Sequence, residues 1–536
     1  MYIRKLIQKN KNGKKRIYLQ LVKSYREGGK VKQKLIANLG RLDTLLENGD
    51  IETLIKNLSR IIEEEKGKQY IDVTRELFCN DVYEYGMQYV LKWLWNKTGL
   101  KRILIEEFEK TKGEERAKIE AEAIFEMVLN RLTEPVSKLS AFNDWRNRYY
   151  LKEEEEKLSK PLELHDYYRA MDTLSDTLEE IEESLFYERK NLFSNTEVVF
   201  FDTTSTYFEG EGRREEDLLR YGHSKDHRGD RKQVVISLVI DQHRIPITHK
   251  VWEGNTVDKK AFSLETEKLK KRFGVTRAIL VADRGCISRK IISSIEENNL
   301  EYIVGMKMNL NDVREVLNDD NDDGDEFSKV KSNLYVKEVK LRGRRYIICF
   351  NPEEAAYEEK KIEQIVEHIK EKTNVKNFIP NRAIKKLIKL ESNKITVNEE
   401  KVRELKRYAG KWVLLTNTNL TKEEVAIRYK ELWKIEDSFE TMKTFFKLRP
   451  VYHYTERRIK AHIALLFLAL YSERMLENLL GNNLNFRGIK NALTSLKLIR
   501  IKTNSSQYLM RTELREETKQ IIRTLKMQFP KRLIKL

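Results

Sequence analysis

Cysteine is scarce: three residues in 536, Cys79, Cys286 and Cys349, far apart and without a Cys-x-x-Cys pair. That excludes a disulfide scaffold and a thiolate zinc site, and it fits a reducing cytoplasm. Long apolar runs are also lacking. The longest, Ile463 to Tyr471, is too short to span a bilayer and is followed by Ser-Glu-Arg, so no membrane segment is expected. Met1 to Gly13 is charged throughout, so no secretory signal is expected either. No internal repeat is visible. What the chain has is charge, 35% of its residues, with 103 Lys plus Arg against 85 Asp plus Glu and a formal net charge of +18. A basic chain with both signs abundant suits a nucleic-acid binder and suits equally a solvated, lysine-rich surface. The length allows several domains and at least one large core.

Residues 1–47 alternate basic and apolar positions around Gly28-Gly29, which predicts a small antiparallel β unit. Residues 48–190 carry helical periodicity, as in Tyr89 to Trp95 and Ala121 to Leu132. The texture changes near residue 196. Val198-Val-Phe-Phe-Asp202 reads as a buried strand, Val234 to Asp241 and Ile245 to Trp252 as a hairpin, and Ala278 to Asp283 as another buried strand. With the helical spacing of Lys259–Arg272 and Lys290–Asn298, residues 191–307 form the first part of a mixed α/β core. Residues 308–410, with two strand-like runs, interrupt it as an insertion. Residues 411–480 resume it with a strand, Lys411 to Asn417, and a helix opened by the capping box Thr421-Lys-Glu-Glu424. Residues 481–536 read as a basic helical tail.

Within that helix Tyr429, Glu436 and Lys443 are spaced by seven. On an α-helix seven residues is close to two turns, so all three are expected to project from one face, roughly 10 Å apart along the axis. A carboxylate flanked by a phenol and an ammonium suits a metal beside a phosphate. Asp202 and Asp283 each end an apolar strand. Taken singly, such an aspartate is more often a turn residue, and a mid-helix glutamate a surface residue. Taken together, three carboxylates suit a two-metal site for phosphodiester chemistry, in which hard oxygen ligands favour Mg²⁺. His223 and His227 are four apart, yet no third or fourth zinc ligand follows at a suitable spacing. Asp319 to Gly324 begins like a calcium loop but has Val330 where a bidentate glutamate is needed. Trp252 and Trp412 are expected to be core.

The blocks Phe201-Asp202-Thr-Thr-Ser-Thr-Tyr207, Gly222-His-Ser-Lys225-Asp-His227-Arg228, Trp252-Glu-Gly-Asn-Thr256, Val281-Ala-Asp283-Arg284-Gly285 and Arg449-Pro-Val-Tyr-His453 occur in that order. Together with Tyr429, Glu436 and Lys443 they resemble an insertion-sequence transposase of the DDE type, of the branch with the signature Tyr-x2-Arg-x3-Glu-x6-Lys. One position departs from it: Leu432 stands where that branch has arginine. Arg428, Lys430 and Lys434 are the nearby substitutes. The resemblance implies an RNase H-like mixed sheet flanked by helices, a β-containing insertion domain and a helical DNA-binding region over 48–190. It implies Asp202, Asp283 and Glu436 as catalytic ligands of Mg²⁺, with Mn²⁺ able to substitute. Tyr429, Lys443, Lys225, His227 and Arg228 are then expected to contact DNA.

The implied reaction nicks the 3′ ends of terminal inverted repeats. The freed 3′-OH forms a hairpin, which is reopened and joined to target DNA. The implied partners are double-stranded DNA and a second copy of the chain in a synaptic dimer, in the cytoplasm and on the nucleoid. Two rival classes remain: an RNase H-fold nuclease without strand transfer, and a non-catalytic DNA-binding descendant of a transposase.

Overall fold

The structure is a computed structural model. It describes all residues except 11, 67–76, 193–197, 209–217, 223, 226–227, 274–278, 286, 298, 319–325, 372–386, 392–393, 450 and 504–505. His223, His227 and the acidic loop at 319–324 therefore lie outside the described residues. The chain forms two compact units, one of residues 1–81, 499–510 and 533–536, the other of 82–498 and 511–532.

In the first unit β1 (Tyr2–Lys9), β2 (Lys15–Glu27) and β3 (Lys30–Arg41) form an antiparallel sheet in that order. Gly28 and Gly29 both take positive φ, 56° and 77°, as a two-residue hairpin turn between twisted strands requires. Helices Leu42–Glu47 and Asp50–Lys66 follow. A four-stranded sheet joins β4 (Phe78–Glu84) to three strands of the C-terminal region, Lys497–Lys502, Gln507–Arg511 and Leu533–Lys535. That region is thus strand and helix in alternation, where periodicity alone suggests a helical tail.

The second unit is built on one large sheet. β5 (Val198–Tyr207), β6 (Gln233–Asp241) and β7 (Pro246–Glu253) form an antiparallel meander. β8 (Ile279–Ala282) lies parallel to β5, and β9 (Glu301–Gly305) parallel to β8. The spatial order of these five is third, second, first, fourth, fifth. β6 is buried at every position, the pattern of a strand covered on both faces. Beyond β9 the sheet continues. β10 (Ser328–Lys331), β11 (Leu334–Leu341) and β12 (Arg344–Phe350) come from the 308–410 stretch, and β12 pairs with β15 (Lys411–Thr416), which pairs with β9. In between, the hairpin β13 (Ile388–Glu391) and β14 (Lys394–Val397) and the helices Pro352–Glu371 and Glu399–Tyr408 surround a small core of Ile369, Leu387 and Val402.

The strand period of two sends alternate residues of β5 into two cores. Val199 and Phe201 meet Phe262 of the helix Asp258–Phe273 on one face. Val198 and Phe200 share the other core with Ile435, Phe439 and Met442. The apolar run at 463–471 lies inside the helix Glu456–Leu479 and is buried throughout. It packs on the helices Glu114–Thr133 and Leu164–Asp176. Each fully buried leucine there contributes about 1.5–3 kcal/mol. Among the described residues no helix is long and apolar enough to cross a membrane.

The segment from 422 to 445 corrects one expectation. It is not one unbroken α-helix but an α-helix Lys422–Lys430, a turn, an α-helix Trp433–Glu440 and a π-helical turn Thr441–Phe445. At the joint the amide of Leu432 donates to the carbonyl of Tyr429, three residues back, which tightens the ladder locally. The spacing of seven therefore does not translate into one straight row.

Candidate active site

β5 and β8 run parallel with Phe201 opposite Ala282. The next position on each chain is an aspartate, so Asp202, within β5, and Asp283, just past the end of β8, stand side by side. β5 runs on to Tyr207 instead of ending at its aspartate, because it stays paired with β6. Neighbouring strands are about 4.8 Å apart, so two residues separated by 81 positions become neighbours. Asp202 shares its face of β5 with Val198 and Phe200, the face on which the helix Trp433–Glu440 packs. That helix carries Glu436, which is exposed.

Asp202 is half-buried and Asp283 exposed. Burial pushes the Asp202 carboxyl up to about 6; Lys225 opposes the rise, and Asp258 and Asp283 add to it. Asp283 thus lies within electrostatic reach of Asp202, and so does Asp258, which heads the helix Asp258–Phe273. Lys225 sits between them, its Nζ 3.6 Å from Asp202 Oδ1 and 3.7 Å from Asp258 Oδ2. The ammonium also donates to the carbonyl of Thr203 at 2.6 Å and to its hydroxyl at 2.9 Å. The Thr203 hydroxyl in turn donates to Asp258 Oδ1 at 2.5 Å. Lys225, expected on DNA phosphate, is here turned onto the carboxylates.

Tyr429 donates its phenol to Asp283 Oδ1 at 3.2 Å. Burial first, then the Asp283 charge, holds that phenol well above its ordinary pKa, so it remains a donor. The contact depends on Gly305 in the adjacent strand β9. A β-carbon there would lie 2.3 Å from the Tyr429 oxygen, a close approach that only glycine permits. A cleft of about 440 Å³ opens here, lined by Asp283, Arg284, Tyr429 and Trp412. Trp412 is half-buried with Lys430 over its ring, whereas Trp252 is buried and donates to the Ser237 hydroxyl.

The remaining expected residues lie around this centre. Lys443 is half-buried in the π-helical turn. Arg228 forks onto Asp230 at 2.8 and 2.9 Å and lies over the ring of Tyr207, as does Arg449. Leu432 packs against the core. Of its basic neighbours, Arg428 and Lys434 both pair with Glu431, at 3.3 and 2.8 Å. Asp258 and Gly305 are missing from the sequence-based set. Only a glycine closing an apolar strand marked the second; nothing local marked the first.

The donor set is hard oxygen throughout, which suits Mg²⁺-type ions, and Lys225 already places a cation against Asp202 and Asp258. Among the described residues no group of three or more His, Cys, Asp or Glu side chains is gathered closely enough to hold a metal by itself. The structure pairs Asp202 with Asp283 and puts Glu436 on the helix packed against β5, without closing the three into one cluster.

Residues 194–471, just over half of the chain, match the transposase DDE domain family. Residues 3–69 match the N-terminal domain of the IS1634 transposase family. No curated protein matches the chain.

Proposed function

The chain belongs to the DDE-domain transposases, and on that premise we propose that Asp202, Asp283 and Glu436 are its catalytic carboxylates and Mg²⁺ ligands. The domain has an RNase H-like fold, and its members cleave DNA and transfer strands with divalent metal ions. The observation that carries the assignment is the register of β5 and β8, which sets Asp202 beside Asp283. Glu436 is the third of the set, carried by the helix Trp433–Glu440 that packs on β5.

When bound, the divalent ions activate the attacking oxygen and stabilise the leaving one. The protein's part is to hold ligands and DNA. Tyr429 fixes the Asp283 carboxylate through its phenol. Lys225 ties Asp202 to Asp258 through its ammonium. Lys443, Arg228 and His227 meet DNA phosphates, which fixes position without reading sequence. The substrate is a terminal inverted repeat nicked at its 3′ end, with a hairpin on the way to joining at target DNA. Two copies of the chain pair the two ends. Mn²⁺ replaces Mg²⁺ because both take octahedral oxygen sites.

The test is nicking of duplex DNA carrying the element's ends, with Mg²⁺, by the native chain and by Asp283→Asn. The variant is expected to lose at least about a hundredfold in rate. Equal nicking by both defeats the assignment.

A further inference from the structure

Residues 1–41 contain 13 Lys plus Arg and a single acid, Glu27. The other 495 residues contain 90 Lys plus Arg and 84 Asp plus Glu. Two thirds of the net charge is therefore carried by one small sheet.

That sheet is uneven in length. β1 covers β2 only from Lys15 to Val22. Beyond it, Lys23–Glu27 pairs with Lys30–Val31 and on to Lys34, so the ends of β2 and β3 continue as a two-stranded ribbon. Every residue from 23 to 34 is exposed. Five residues a strand gives about 17 Å of ribbon.

Opposed residues in an antiparallel pair point to the same face. One face of the ribbon therefore presents Lys23 opposite Lys34, Tyr25 opposite Lys32 and Glu27 opposite Lys30. Lys32 pairs with Glu27 at 2.6 Å, while Lys23 stands directly across from another lysine. Like charges so placed destabilise a sheet. A ribbon that buries no apolar side chain gains nothing from packing to offset that cost. The arrangement makes sense against a polyanion, and the major groove of B-DNA, about 12 Å wide, admits a two-stranded ribbon.

We propose that the ribbon Lys23–Lys34 is a DNA-binding arm that enters the major groove of duplex DNA and sets its lysine face on the phosphates. The inference rests on the transposase reading for its partner but not on the assignment of the catalytic carboxylates. It moves a DNA contact from the helical region 48–190 to the N-terminal sheet.

The experiment measures duplex DNA affinity of the full chain against salt concentration. Two triple variants are compared with the native chain: Lys23, Lys32 and Lys34 all changed to Gln, or all to Arg. The Gln variant is expected to bind at least about tenfold more weakly, and its slope of log K against log salt to fall by about one for each lost phosphate contact. The Arg variant is expected to bind like the native chain. All three positions are exposed, so far-UV circular dichroism should be unchanged. An unchanged affinity and slope in the Gln variant overturns the arm, and so does displacement by single-stranded RNA as readily as by duplex. If Asp283→Asn nicks normally while the Gln variant loses DNA, the carboxylate assignment falls and the arm stands. If Asp283→Asn is inactive and the Gln variant binds normally, the arm alone falls.

Discussion

Gly305 shows how much a single missing atom decides at this site. Its Cα lies so close to Tyr429 that a β-carbon would come within 2.3 Å of the phenolic oxygen. That separation is below any van der Waals contact, and the neighbour is the end of a ring whose other side is packed. Gly305→Ala is therefore expected to push the phenol off Asp283, the carboxylate it reaches at 3.2 Å. Tyr429→Phe removes the same hydrogen bond without moving the ring. Each change should slow nicking by roughly tenfold, the usual cost of losing a partner that orients a metal ligand. Because both act through one bond, the double variant should be no slower than the slower single one. Nicking rates of the three variants check this, and additive losses would show that Gly305 acts on something other than Tyr429.

The helical stretch that carries Glu436 separates what a sequence discloses from what it conceals. Its start was legible. Thr421 accepts from the amide of Glu424 at 3.2 Å, and Glu424 returns a bond to the amide of Thr421 at 2.9 Å. Both bonds are local and follow from four consecutive residues. Thr421→Ala should cost about 1 kcal/mol, measurable as a shift in chemical denaturation. Its break at Glu431–Leu432 was not legible, because no glycine or proline marks it and the apolar spacing runs straight through. The apolar runs before Asp202 and Asp283 were readable as buried strands. The continuation of β5 to Tyr207 was not, and the parallel register of the two strands is set by pairing across 81 positions. The capture of Lys225 by Asp202 and Asp258 is likewise a tertiary event. A lysine in a polar loop reads as solvent-facing until the helix Asp258–Phe273 is placed beside β5.

At the scale of the molecule, charge is divided between two tasks. The N-terminal sheet holds most of the excess, whereas the rest of the chain is nearly balanced and spends its charges on one another. The helix Glu456–Leu479 shows the cost of that internal pairing. Glu473 on this helix is buried, and its Oε2 has no hydrogen-bond partner among the described residues. Burial pushes its carboxyl up to about 8; Arg474, 3.6 Å away, opposes the rise, while Glu477 and Asp437 reinforce it. In the unfolded chain the same group titrates near its ordinary value of 4.5. Between these two values the folded chain binds the extra proton, so stability is full below about 4.5 and is lost as pH rises towards about 8. One proton sets the limit of that slope at about 1.4 kcal/mol per pH unit. Glu473→Gln cannot ionise, so it should match the native chain near pH 5 and exceed it in stability at pH 8. Denaturation midpoints of both proteins at pH 5, 6.5 and 8 decide the matter, since parallel pH profiles would mean that Glu473 is ionised and paired across the whole range.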